Sequence, residues 1–565
     1  MSETKIVIIG GSAAGAKAAA KARRLDQKAA ITIIQREPDL SMASCGYPYY
    51  VGGVFNDRNM LLATPTGVVR DPGFFQKTKN IKAITETEAV SIDRKEKIIT
   101  CRSLPSGEEL QVSYDKLILC TGAGSALPPL PGIELDGIST LLSMSDTDYL
   151  REVKDTKEVT SAVVVGGGLI GVEACEALAG SSMDVTLVEM APQILAHLEP
   201  QFAGLAANHM KSKGVKVLTG TSIKGFVGEG SKLAGVKLAD DTIIYCGLAV
   251  VATGVRPNIA LAKDAGLEIG ELGGIVVDEF MTTSDADIYA AGDCVEVKHL
   301  ITGKSTLAPM GDLANLQGRV AGENVVLGNS VQFPGTVHTA ICKIFDFAAG
   351  ATGLTETAAK KSGLTNIETV VNASPDKPGF MGAKLLISKI VIDKESERII
   401  GYQCVGNGDV SRQLATAAMA IQGKMQLSQL TCADLPYAPP YSLAIDHFIA
   451  SAHIVENKMK GRLKTITAAE VKAKVDNNEK VVFIDGRGPD EYEVLRLGIG
   501  EKYIPVGALR GQLDQLPADK NAEIICFCKI SLRGYETALV LEENGWTNVK
   551  VMEGGIMAWP YAREQ

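Results

Sequence analysis

Toward the C-terminal end, Ile524-Ile525-Cys526-Phe527-Cys528-Lys529-Ile530-Ser531-Leu532-Arg533-Gly534 places a cysteine at the end of an apolar run and an arginine shortly after it. A strand that stops at Cys528 and a helix over 535–544 leave a short loop whose backbone N–H groups ring the thiol as an anion nest. Arg533 and Lys529 add positive charge, and both effects lower a thiol pKa and favour a persulfide anion. Cys526, two residues back on the strand, is expected to point into the core. A second candidate, Cys45, lies in Ser41-Met42-Ala43-Ser44-Cys45-Gly46-Tyr47-Pro48-Tyr49-Tyr50. The eleven cysteines have no framework spacing, and no Cys/His set has zinc spacing, so most read as buried small hydrophobes and two as chemical.

Two glycine-rich turns carry a different chemistry. Ile6 to Ile9 reads as a buried parallel strand, followed by Gly10-Gly11-Ser12-Ala13-Ala14-Gly15, which opens an Ala-rich helix. The free N–H groups and positive end of such a helix can hold a pyrophosphate. This copy is one glycine short, and a tight strand-to-helix turn needs glycine with or without a ligand. The second copy, Gly166-Gly167-Gly168-Leu169-Ile170-Gly171, is complete. It follows Ala162-Val163-Val164-Val165 and precedes an acid, Glu189, about 20 residues on, where a carboxylate bonds both ribose hydroxyls.

These turns belong to repeated strand–turn–helix–strand units at 5–36 and 161–190, two nucleotide-binding units in one chain. Between about 330 and 460 the pattern changes to strand-rich stretches around 384–392 and 400–403 with amphipathic helices around 411–430, an α+β domain. A polar stretch over 456–464 reads as a linker to a third α/β block. With 565 residues and 46% apolar content the chain can bury several cores. A net charge of −9 argues against nucleic-acid and anionic-membrane partners. The first residues lack the apolar stretch of a signal peptide and no run of 18 apolar residues occurs, so the expected location is the cytoplasm.

Further residues carry a resemblance to the two-dinucleotide flavoproteins of the pyridine nucleotide-disulfide oxidoreductase family: Thr121-Gly122-Ala123 after Tyr114 to Cys120, Ala252-Thr253-Gly254 with Arg256-Pro257-Asn258, and Ile288 to Cys294 with Gly292-Asp293. The resemblance implies FAD at the first site, with Gly10, Ser12, Ala13, Ala14 and Gly15 in the turn, Thr121, Gly122 and Ala314 nearby, and Asp293 at the ribityl chain. It implies NADH at the second, with Gly166, Gly168, Ile170, Gly171, Glu189 and Gly254. The family's acid after the second FAD strand is replaced by Gln35, a neutral partner for the ribose, followed by Arg36. The implied architecture is α/β: two Rossmann-like dinucleotide-binding domains (FAD 1–118 and 259–329, NADH 119–258), an α+β dimerisation domain at 330–460 and a last domain at 465–565.

Family members with a C-x-x-x-x-C pair would need a cysteine at 40 or 50, and these are Leu40 and Tyr50. Cys45 must then cycle through a sulfenic acid, a persulfide or a mixed disulfide. Its segment resembles coenzyme A-disulfide reductases and NADH oxidases or peroxidases. The oxygen- and peroxide-reducing members place a histidine where this chain has Ala13. The coenzyme A branch is supported by Arg23 and Arg24 on the first helix, with Ser41, as candidate contacts to its ADP moiety. Tyr437-Ala438-Pro439-Pro440-Tyr441 matches that branch's late tyrosine segment, which implies a homodimer with Tyr437 donating a proton across the interface. A second tyrosine of the branch is replaced by Pro378-Gly379-Phe380-Met381, which suits a target smaller than coenzyme A disulfide.

The last hundred residues resemble a rhodanese: Asp485-Gly486-Arg487 with Glu491-Tyr492, the Cys528 to Arg533 loop, and Glu553-Gly554-Gly555 through Trp559. A rhodanese fold used only for regulation would lack the loop cysteine. Together the resemblances imply an NADH-dependent persulfide or polysulfide reductase in which NADH reduces FAD, FAD reduces Cys45, and Cys528 handles sulfane sulfur with coenzyme A species as carriers. Coenzyme A-disulfide reductase, NADH oxidase or peroxidase, and sulfurtransferase or sulfur-trafficking protein stay open as alternatives.

Overall fold

Short β-branched runs form the centre of each α/β layer because their stiff side chains suit a sheet buried on both faces. In the computed structural model, which describes residues 3–180 and 183–564, the chain divides into two compact units, Met1–Met190 with Gly220–Thr336 and Ala191–Thr219 with Val337–Gln565.

In the first unit the strands Ile288–Ala290, Lys116–Leu119, Lys5–Ile9, Ala30–Ile34 and Ile81–Ile84 form, in that order, a parallel sheet. Ile6, Ile8, Ile31, Ile33 and Leu117 to Leu119 are almost wholly buried in its core. A second parallel array runs Asp184–Val188, Ser161–Val165, Leu248–Val251, Ile138–Ser139. Helix Ala13–Leu25 lies against helix Gly311–Leu327 at a distance only glycine permits. A Cβ on Gly318 would sit 2.2 Å from the Ala14 carbonyl oxygen, and one on Gly322 would sit 2.4 Å from that of Ala18. These two glycines, one helical turn apart, face two alanines of the helix that opens at the first glycine turn.

The second unit holds an antiparallel sheet in the order Ala340–Ile344, Phe347–Gly353, Ile399–Gly406, Leu385–Asp393, Ile367–Pro375. Its central strand Ile399–Gly406 is buried along its whole length, and the helices Val410–Gln422 and His447–Met459 belong to the same unit. The last layer is a parallel sheet in the order Thr465–Ile466, Val549–Met552, Ile524–Phe527, Val482–Asp485, Lys502–Tyr503.

Two expected boundaries move. The polar linker begins only after Met459, because the Asp446 side chain caps helix His447–Met459 at its start and the residues from 456 to 459 continue it. The helix expected over 535–544 begins earlier, at Leu532, after Ser531 takes a left-handed conformation with φ 77°. Among the described residues no helix is long and apolar enough to cross a membrane.

Candidate active site

The first glycine turn is held open by its own geometry. Gly10 has φ 99°, and a Cβ there would lie 2.1 Å from the Cys120 carbonyl oxygen. A Cβ on Gly15 would lie 1.8 Å from the Gly10 oxygen, so both positions require glycine. Ser12 stands at the N-cap of helix Ala13–Leu25 without a capping side-chain bond, which leaves the helix's first N–H groups for a ligand. Gln35, 7% exposed, accepts the Gly11 N–H at 2.7 Å. Arg36, beside it, points to solvent and pairs with Glu37 at 3.3 Å.

Opposite the turn, Thr121 and Asn258 exchange two hydrogen bonds, 2.7 and 2.9 Å, and Gly122 has φ 65° with open space where a Cβ would be. Gly292, with φ 94°, precedes Asp293 and lies against Ala14, whose Cβ would be 3.1 Å from a Cβ on the glycine, and buried Ala314 lies on the first turn of helix Gly311–Leu327. Among the described residues Asp293 Oδ1 is buried without a hydrogen-bond partner, and burial lifts this carboxyl to about 6. An orphaned acceptor beside a glycine cradle fits the FAD expectation, because a ribityl hydroxyl would satisfy Asp293 and a pyrophosphate would meet the helix start.

Cys45 is brought to the same place by backbone bonds. Ser41, at φ 52°, donates its N–H to the Gly11 carbonyl at 2.7 Å, which ties the cysteine segment to the glycine turn. Cys45 sits in the 3-10 turn Ser44–Gly46 ahead of helix Tyr47–Gly52, with its side chain open to solvent. A Cβ on Gly311, the first residue of its helix, would come within 3.3 Å of the Cys45 sulfur. Helix Met144–Thr156 clamps the segment from outside. Arg151 donates to the Tyr50 carbonyl at 2.8 Å, Lys154 donates to that of Gly52 at 2.6 Å, and Arg58 bridges Asp39 and Asp148. The surrounding protein mass, and after it Glu173, Asp293 and Asp312, push the thiol pKa up, so three carboxylates oppose thiolate formation. Glu173 was not among the expected site residues. It accepts the Tyr49 hydroxyl at 3.1 Å from helix Leu169–Ala179, and nothing in the sequence spacing marks a pair so far apart.

The second turn repeats the first. Gly166 has φ 109° with a Cβ position 2.3 Å from the Ala252 oxygen, and the Cβ position on Gly171 is 1.9 Å from the Gly166 oxygen. Gly168 is exposed with open space before it, Ile170 lies in the first turn of the helix, and Gly254 is equally open at φ 103°. Glu189 accepts the Gly167 N–H at 2.6 Å, the counterpart of the Gln35 to Gly11 bond. This arrangement fits NADH, with clear backbone for a pyrophosphate and a carboxylate at the ribose position.

One expectation is corrected. Arg23 is 5% exposed, and its guanidinium donates to the carbonyls of Lys79, Asp26, Ala29 and Asn80 at 2.6 to 3.0 Å. It ties a helix end to a neighbouring turn, with four of its five N–H groups bonded to carbonyls and the side chain buried away from a ligand. Its neighbour Arg24 is exposed.

In the second unit Cys528 is wholly buried at the end of strand Ile524–Phe527. Its carbonyl accepts the Ile556 N–H at 3.0 Å, that of Lys529 accepts the Met557 N–H at 3.1 Å, and Ser531 donates its hydroxyl to the Met552 carbonyl at 2.6 Å. Arg533, expected to add positive charge beside the thiol, interacts with Cys528 and is also held by both oxygens of Glu491, at 2.6 and 2.9 Å. Glu491 first, and Cys528 after the opposing desolvation, raise the arginine's pKa. Behind them Asp485 and Arg487 form a buried pair at 2.8 Å, with Arg487 also bonded to the Glu491 carbonyl. Cys526 points into the core, and burial pushes its thiol well up. Tyr437 is 55% exposed on the stretch between helices Leu427–Leu430 and His447–Met459. It falls in the second unit and Cys45 in the first.

Comparison with known proteins bears on the whole chain. Family models match at 4–311 (pyridine nucleotide-disulphide oxidoreductase), 339–448 (its dimerisation domain) and 467–561 (rhodanese-like domain). The solved structure of an NAD-dependent persulfide reductase from A. fulgidus has a TM-score of 0.93 and 41% identity, covering 98% of this chain and 100% of that one. An NAD(P)H coenzyme A polysulfide/persulfide reductase of Pyrococcus horikoshii is 32% identical over 454 residues, 80% of this chain and 98% of its own. An NADH oxidase of Methanocaldococcus jannaschii is 32% identical over 459 residues, 81% of this chain and 100% of its own. The chain thus belongs to the pyridine nucleotide-disulphide oxidoreductase family, whose members use FAD and NAD(P)H, and carries a rhodanese-like domain after its dimerisation domain.

Proposed function

We propose that this protein is a cytoplasmic, homodimeric NADH:persulfide reductase that converts a persulfide, with coenzyme A persulfide as the leading substrate, into a thiol and sulfide. The observation that carries the reading is one chain holding two thiol sites, Cys45 beside the flavin cradle and Cys528 in the rhodanese loop, along the whole length of its likeness to a persulfide reductase.

In this reading the Cys45 thiolate attacks the inner sulfur of R–S–SH. A Cys45–S–S–R mixed disulfide forms and hydrosulfide leaves. Flavin and NADH, when bound at the two glycine turns, would supply an electron pair. With one proton from Tyr437 of the second chain, that pair regenerates the Cys45 thiolate and releases RSH. Cys528 takes sulfane sulfur from a donor and hands it to the carrier thiol. Asp293 would orient a bound flavin, while burial, and after it Glu173 and Asp312, disfavour the Cys45 thiolate.

NADH loss followed without oxygen, with coenzyme A persulfide, polysulfide, coenzyme A disulfide or peroxide, tests the reading. Turnover is expected with persulfide and polysulfide, one sulfide per NADH, and none in Cys45→Ser. Turnover only with peroxide would give the molecule to the NADH oxidases and peroxidases, the reading that the M. jannaschii relative favours and Ala13 disfavours.

A further inference from the structure

Glu553 is a carboxylate 3% exposed at the meeting of the rhodanese-like domain and the dimerisation domain. Its three donors come from three elements. Val371 N–H on the edge strand Ile367–Pro375 reaches it at 2.9 Å, Lys458 Nζ on helix His447–Met459 at 3.0 Å, and the Thr465 hydroxyl on the first rhodanese strand at 2.6 Å. Lys458 is itself held by Glu368 at 3.1 Å and by the Thr369 carbonyl at 2.7 Å, both on that edge strand. A buried carboxylate with an ion pair and two further donors resists displacement, because losing a partner leaves charge in the interior.

The chain on both sides of Glu553 holds the sulfur loop. Met552 accepts the Ser531 hydroxyl, Ile556 donates to the Cys528 carbonyl, and Met557 donates to that of Lys529. Between them Gly554 and Gly555 take φ of 68° and 58°. A Cβ on Gly555 would sit 2.3 Å from the Cys528 oxygen, and one on Gly554 would sit 2.9 Å from Val371 Cγ1. A single six-residue segment therefore touches the dimerisation domain with one part and the Cys528 loop with the next.

We propose that Glu553 is a positioning residue for sulfur transfer at Cys528, and that through it Lys458 and the edge strand of the dimerisation domain set the shape of the sulfurtransferase loop. The inference rests on the reading of Cys528 as a sulfur carrier. In the transfer it supports, the Cys528 thiolate takes one sulfur from the donor to become Cys528–S–S⁻, and cyanide, as acceptor, removes that sulfur as thiocyanate. The thiolate is restored without net oxidation.

The test uses Lys458→Met, a substitution outside the rhodanese fold, in the full-length flavin-loaded protein. Thiocyanate formation from inorganic polysulfide and cyanide should lose about tenfold in kcat with KM within about twofold, as expected when a loop is misplaced rather than a binding contact removed. Alkylation of Cys528 by iodoacetamide, read on its peptide by mass spectrometry, should quicken by a similar factor. Lys458→Arg should restore both, and Glu553→Gln, which keeps an acceptor for Val371 but loses the ion pair, should fall between. Unchanged kcat and unchanged alkylation in Lys458→Met would overturn the inference, as would losses matched by flavin release or a collapsed melting temperature in both Lys458→Met and Glu553→Gln. A wild-type protein that forms no thiocyanate would refute the carrier reading alone, since the alkylation rates still decide the positioning.

Discussion

Glu491 takes both terminal nitrogens of Arg533, at 2.6 and 2.9 Å, on the rim of the loop that begins at Cys528. The guanidinium next to the thiol is thus committed to a carboxylate before any donor arrives. An anionic donor such as thiosulfate must break that pair or bind beside it. Glu491→Gln is expected to raise kcat/KM for thiosulfate as sulfur donor by about three- to tenfold. The pair is one-third exposed, so unfolding free energy should move by less than about 1 kcal/mol. Unchanged thiosulfate kinetics would mean that the carboxylate does not restrict donor charge.

Asp293 makes flavin-free protein sensitive to pH. Its carboxyl rises from 3.8 to about 6 through burial, so the folded protein binds this proton more tightly than the unfolded chain does. The associated stability is present below about pH 4 and is lost as pH rises through 6, in total about 2–3 kcal/mol. Asp293→Asn apoprotein should therefore be more stable than wild type at pH 7 and equal to it near pH 4, while retaining flavin less well. Urea unfolding of both apoproteins at the two pH values checks this.

Cofactor choice should follow Glu189. Its carboxylate is fixed by the Gly167 N–H at 2.6 Å, and Met190-Ala191-Pro192 after it bring no arginine to a 2′-phosphate. NADH is expected to exceed NADPH by at least about tenfold in kcat/KM, and Glu189→Ala should narrow the ratio. Equal turnover with the two nucleotides would contradict it.

Gly318 should tolerate no side chain. A methyl group there would meet the Ala14 carbonyl oxygen at 2.2 Å, and neither backbone can yield without moving the helix that begins at the flavin turn. Gly318→Ala is expected to cost about 1–3 kcal/mol and to weaken flavin retention, measurable as a lower melting temperature and faster flavin release.

Much of this arrangement was readable from local pattern. The two glycine turns, Gln35 and Glu189 at the ends of their strands, and the Cys528 to Arg533 loop each lie within a short stretch whose spacing mirrors a strand–turn–helix geometry. What escaped depends on partners far along the chain. Arg23 reads as a contact to an ADP moiety because it stands beside Arg24 on the first helix, yet the carbonyls of Lys79 and Asn80 draw it inside. Glu491 and Arg533 are each singled out in the sequence, but their pairing, across 42 residues, is not. Glu173 reaches Tyr49 across 124 residues, and Glu553 reaches Val371 across 182. Periodicity reports neighbours on one element, and these contacts join different elements.

The burial of Cys528 has a consequence for timing. A thiol with no surface open to water can be loaded or emptied only when the loop Cys528–Arg533 or its cover from Gly555 to Met557 moves aside. If Cys528 carries sulfur as proposed, sulfur parked there is sheltered from stray thiols and oxidants between such openings. The domain should therefore act as a reservoir with a lifetime: protein charged with donor and then desalted keeps its sulfane sulfur for many turnovers' worth of time. Its discharge reaches a ceiling set by loop opening, beyond which more acceptor gives no further speed.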